Sequence, residues 1–131
     1  MSGGREGAAG VGPVYLVVER DVLIARDLFE TLMAHDHTCV VTIAADVEAG
    51  SREAQGQGRL DAAFVSARMR DLDESGLGAL VEARGGRMVL LSGAEDSAAP
   101  GRGWTFLSRP YSERDILRVL DEIARSRTTA P

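Results

Sequence analysis

The stretch Leu60–Met69, LDAAFVSARM, decides how this chain folds. Asp61 precedes four apolar residues, Ala62 to Val65, and Ser66 follows them. A short apolar run bounded by polar residues is the pattern of a strand buried on both faces, as in a parallel sheet. Ser66 then stands at the carboxyl end of that strand, where open α/β sheets gather ligands and chemistry. Other apolar runs end in the same way. Val14–Val18 leads into Glu19-Arg20-Asp21, Met88–Leu91 into Ser92, and Trp104–Leu107 into Ser108-Arg109-Pro110. These four strand ends offer polar residues to one crevice.

A fifth strand, Thr38–Ala44, lies between two helical patterns. Asp21 is placed to cap a helix from Val22 to about Ala34, whose apolar stripe is Ile24, Leu28, Phe29, Leu32 and Met33. Asp46 is placed to cap a shorter helix, Val47–Gln55, which Gly56-Gln57-Gly58 breaks. Arg68–Gly76, RMRDLDESG, reads as a polar loop; it lacks the alternating oxygen ligands and distal Glu of a calcium loop. Leu77–Ala83 is helical and stops at Gly85-Gly86. The segment 93–103 holds Pro100 and three glycines, which leaves room for a turn or two of helix at most. Ser112 caps a last helix to about Arg125, with Ile116, Val119, Leu120 and Ile123 facing inward.

Strands alternating with helices predict an α/β fold: a doubly wound, five-stranded parallel sheet of flavodoxin-like order 2-1-3-4-5. The helix between the fourth and fifth strands is expected to be shortened or missing. One domain is expected over residues 14–125, after a flexible Gly-rich tail at 1–13 and before a C-terminal tail at 126–131.

A chain of 131 residues, 44% apolar, is long enough to bury a real core. Its net charge of −5, with arginines interleaved among acids, argues against a nucleic-acid-binding surface. Cys39 is the single cysteine, so no internal disulfide can form, and its apolar flanks mark it as a core residue. His35-Asp36-His37 has no further ligand pattern around it and reads as a solvated turn rather than a metal site. No secretory signal opens the chain and no apolar run reaches membrane-spanning length, so a cytoplasmic protein without membrane contact is expected.

Several landmarks resemble the receiver domain of response regulators, the phosphorylation switch of two-component signalling. LVVER followed by Asp21 resembles the strand that delivers the family's acidic pair, and LLSG resembles the strand that ends in its switch Ser/Thr, here Ser92. FLSRPYS places Phe106 at the switch aromatic, Arg109 at the family's Lys and Pro110 after it; Met69 also falls where the family keeps a Met. The resemblance runs over Val14–Arg125 and implies a signalling module rather than an enzyme.

It also implies a degenerate phosphorylation site made of Ser66, Glu19, Arg20, Asp21, Ser92 and Arg109. Ser66 stands at the family's phosphate-accepting Asp, and an unactivated hydroxyl is a far poorer nucleophile than that carboxylate. Arg20 stands at the second acid of the pair, which removes oxygens that a hard divalent ion needs. Arg109 or Arg20 is expected to pair with Glu19. The expected function is that of a pseudo-receiver without cofactor or metal, acting on another signalling protein or as a homodimer. Two alternatives stand beside it: a small-anion sensor using the crevice, and a phospho-acceptor switch using Ser66 or a displaced acid, Asp21. No output domain is expected after Pro131, and any effect is expected to pass to a separate chain. The expected interface is an aromatic patch of Trp104 and Phe106, extended by Tyr111, Arg114 and Arg118 along the last helix.

Overall fold

The structure is a computed structural model and describes residues 12–92 and 104–129. Strands β1 (Val14–Val18), β2 (Val40–Ala44), β3 (Ala62–Val65), β4 (Arg87–Ser92) and β5 (Thr105–Ser108) form one parallel sheet in the order β2-β1-β3-β4-β5. The helices are α1 (Val22–His35), α2 (Val47–Gln55), α3 (Met69–Ser75), α4 (Leu77–Ala83) and α5 (Glu113–Thr129).

Every residue of β3 is buried, as the decisive stretch requires. The pleat splits the central strands between two cores. Tyr15, Val17, Ala62, Phe64, Val89 and Leu91 face α1 and α5, meeting Leu28, Leu32, Ile116 and Val119. Leu16, Val18, Ala63, Val65, Met88 and Leu90 face the other side, meeting Ala54 of α2, Leu72 of α3 and Val81 of α4. Cys39 belongs to the first core, as its neighbours in sequence foretell.

The capping residues act as expected. Asp21 accepts from the backbone N–H groups of Leu23 and Ile24, at 2.9 and 3.3 Å, and Asp46 from that of Ala49 at 2.8 Å. At α5 a reciprocal pair forms: Asp115 N–H donates to Ser112 Oγ and Ser112 N–H to the Asp115 carboxylate. Asp36 ends its turn by accepting from the Thr38 hydroxyl and N–H. Those two bonds, the hydroxyl first, hold its carboxyl below the usual range.

β4 runs one residue further at each end than the sequence reading and β5 lies one residue later; three larger differences have a physical cause. Arg68–Gly76 is not a loop: it contains α3, which exists because Leu72 plugs the second core while its acids stay in water. Gly76 then closes α3 in the left-handed conformation, φ 73°, that glycine adopts without strain. β2 begins at Val40 rather than Thr38, since Thr38 is used by the Asp36 turn. α5 continues to Thr129, past its last inward apolar residue, with Arg125 paired to Asp121 on its exposed side. Ahead of β1, Gly12 is buried and its carbonyl accepts from Arg59, while the Pro13 carbonyl accepts from Val40 N–H. The rest of the expected N-terminal tail, residues 1–11, and the expected shortening of the helix at 93–103 lie outside the described residues.

Candidate functional site

The ladder continues one residue past the strands. Glu19 N–H donates to the Ala44 carbonyl at 2.9 Å, and Ser66 N–H to that of Val18 at 2.8 Å. Both residues are thereby fixed at the rim of a crevice of about 600 Å³, which Arg20, Asp21, Asp46, Arg68, Asp71 and Arg109 also line.

Glu19 is the unusual group in this crevice. Its side chain is only 5% exposed, although it is a carboxylate. Oε2 accepts from Asp21 N–H at 2.9 Å; Oε1 accepts no hydrogen bond from a described residue and faces Arg109 Nη2 at 3.7 Å. The same Nη2 donates to Ser66 Oγ. One guanidinium from the end of β5 therefore ties the ends of β1 and β3 together. Of the two arginines expected at Glu19, Arg109 makes the pair; Arg20 is exposed and makes no ion pair with a described residue. Asp21 spends its carboxylate on the first turn of α1. Ser92 ends β4 in register with Ser108.

As a donor set for magnesium this crevice fits poorly. A hard divalent ion wants several anionic oxygens free to converge. Here one carboxylate is held by a guanidinium, another caps a helix, and the strand-end oxygen is a hydroxyl. No group of three or more His, Cys, Asp or Glu among the described residues is placed to hold a metal ion. No histidine lines the crevice to act as a base for Ser66.

The expected interface residues divide. Trp104, just before β5, and Phe106, within it, are both half-buried against the second core. The Trp104 indole N–H donates to Glu82 at 2.8 Å, and its ring lies so close to α4 that a Cβ on Gly78 would stand 2.4 Å from Cζ2. Gly78 thus makes the seat for the ring, a role the sequence reading missed. Arg114 is exposed, and Arg118 is bonded to Asp115. Tyr111 instead turns toward a groove between α1 and α5 that Ile24, Leu28 and Ile116 also line.

The Tyr111 hydroxyl is buried without a hydrogen-bond partner among the described residues. Burial first, then the Glu19 charge, push its pKa above the ordinary tyrosine range. A raised folded-state pKa gives stability that is present below the unfolded value and lost as pH climbs through the folded one. Tyr111→Phe is therefore expected to be neutral or stabilising by about 1 kcal/mol near neutral pH, since it removes an unpaired buried group. It should also flatten the fall in urea midpoint above about pH 10. A loss above about 1 kcal/mol at neutral pH would mean that the hydroxyl has a partner.

One buried acid plays no part in the crevice. Asp61 accepts from Val14 N–H at 2.8 Å and pairs with Arg59 at 3.2 Å, joining the amino ends of β1 and β3. An arginine two residues before an acid that opens an apolar run was the available signal.

Solved structures share this arrangement of elements. The response regulator receiver domain protein (CheY-like) from Methanospirillum hungatei JF-1 superposes with a TM-score of 0.74 at 18% identity, over 91% of this chain and 99% of that one. The signal receiver domain of an HD domain-containing protein from Pseudomonas fluorescens Pf-5 gives 0.72 at 19% identity, over 91% and 99%. The fold is that of a receiver domain. The chemotaxis protein CheY4 of Vibrio cholerae, at 17% identity over 86% of this chain and 99% of that one, superposes on the same receiver fold with a TM-score of 0.66. No protein-family model and no curated protein sequence matches the chain.

Proposed function

We propose that this chain is a receiver-like signalling module that neither accepts a phosphoryl group nor uses a metal, and that it acts by binding another protein. The observation that carries this reading is the Arg109 guanidinium, which reaches both Ser66 and the buried Glu19 carboxylate. It puts a cation and a hydroxyl where phosphoryl transfer through a carboxylate would need anionic oxygens. The partner is another signalling protein in the cytosol. Its docking surface is the side that carries the half-buried Trp104 and Phe106, extended by the exposed Arg114 and Arg118 at the start of α5; Tyr111, turned into the groove between α1 and α5, is not part of it.

A second reading, a small-anion sensor, is favoured by one observation. Arg20 and Arg68 line the crevice and neither makes an ion pair with a described residue. Asp46 and Asp71 on the same walls oppose it. Thermal unfolding in millimolar phosphate, sulfate, acetyl phosphate or nucleotides separates the two, since a ligand that binds only the folded state raises the midpoint as RT ln(1 + [L]/Kd). The interaction reading expects no saturable rise. A saturable rise that Arg20→Ala or Arg109→Met abolishes would establish the sensor instead.

A further inference from the structure

The groove between α1 and α5 encloses about 450 Å³, a volume within the range of small-molecule sites. Ile24 and Leu28 of α1 line one wall, Pro110 and Ile116 the other. Leu28 and Ile116 belong to the first core, so the floor of the groove is apolar and fixed. The Tyr111 hydroxyl is buried, and what the groove meets of that residue is its ring. Each wall also carries an acid, Asp27 from α1 and Glu113 from the start of α5. Both are exposed, and neither carboxylate makes a hydrogen bond or ion pair with a described residue. The Asp27 charge is one of those that raise the Tyr111 pKa, which sets this acid near the ring. Arg109 lines the groove too, but its guanidinium is turned to Glu19 and Ser66 and leaves these two acids unanswered.

An apolar floor with an aromatic ring and an uncommitted carboxylate on each wall selects a ligand that is both apolar and positively charged. A neutral apolar molecule would leave the acids unanswered, and a bare metal ion would gain nothing from the floor. An ammonium group gains from the carboxylates by charge-assisted hydrogen bonds and from the ring by its quadrupole. We propose that this groove binds a small organic amine, its apolar body against Leu28 and Ile116 and its ammonium group held by Asp27 and Glu113 beside the Tyr111 ring. The inference goes beyond the interaction reading and does not depend on it: the ligand is a cation, and its groove is walled by α1 and α5 rather than by the half-buried Trp104 and Phe106.

Titration of the full chain with 2-phenylethylamine, followed by backbone-amide NMR, is the test, with 2-phenylethanol as the neutral counterpart. Saturable shifts confined to α1 and the start of α5 are expected, with a dissociation constant of about 1 mM or tighter. The alcohol should bind about fivefold more weakly or worse, and Asp27→Asn and Glu113→Gln should each weaken the amine about threefold, as suits solvent-facing charge pairs. Both acids are exposed, so neither change burdens the fold; unaltered circular dichroism and urea midpoints would verify this. Glu53→Gln, which removes an exposed acid from α2 on the other side of the sheet, should leave binding as it was. Absence of saturable shifts overturns the proposal, as does equal binding of the alcohol. A loss with Glu53→Gln as large as that with Asp27→Asn overturns it too, because the amine is then drawn only by the net negative charge of the chain.

Discussion

Phe64→Ala is expected to lower the unfolding free energy by about 3–5 kcal/mol, the usual cost of deleting a fully buried aromatic ring. Phe64 has no exposed surface and lies in β3, flanked on both sides by paired strands. It meets Tyr15 edge to face, with ring centroids 5.9 Å apart at 76°. Ala62, its neighbour on the same face of the strand, is too small to fill the space, and the hydrogen-bonded sheet around it resists collapse. Urea denaturation followed by circular dichroism measures the loss. A cost below about 1 kcal/mol would mean that the ring is not in the core as placed.

Arg109→Met is expected to cost about 1–3 kcal/mol. Breaking a fully buried ion pair costs about 3–5 kcal/mol, because one charge is left uncompensated. Arg109 is 48% exposed, so water recovers part of that. The two partners are not equivalent. Removing the arginine strands a carboxylate that is almost wholly buried, whereas Glu19→Gln leaves a guanidinium that can turn to solvent. Arg109→Met should therefore cost more than Glu19→Gln, and it should cost less in the Glu19→Gln background than alone. If each single change leaves the urea midpoint unmoved, no such pair holds the crevice.

The sheet was legible because its central strands are buried on both faces, which writes them as continuous apolar runs such as AAFV and VYLVV. The caps at Asp21, Asp46 and Ser112 were legible because a cap is local chemistry: a side chain serving an N–H two or three residues on. α3 was not, since a helix anchored by a single buried Leu72 has no stripe to show. The pairing of Arg109 with Glu19 could be foreseen only as one of two arginines. Choosing between them took the register that brings the end of β5, and with it Arg109, to Glu19, while Arg20 stays exposed. The bond from Arg109 to Ser66, the seat that Gly78 makes for Trp104 and the lone Tyr111 hydroxyl arise from residues far apart in the chain. No local pattern announces them. The exposure of Val22, Leu23 and Ile43 was hidden for another reason: apolar residues in a helix and a strand read as core until the packing shows which are left outside.

The central proposal is that the crevice, with the Arg109 guanidinium reaching both Ser66 and Glu19, does not accept a phosphoryl group. It is tested most directly by incubating the protein with acetyl phosphate and magnesium and measuring its intact mass. The account predicts an unmodified mass for the natural chain and for Ser66→Ala alike. A stoichiometric phosphoryl adduct that Ser66→Ala or Asp21→Asn abolishes would contradict it.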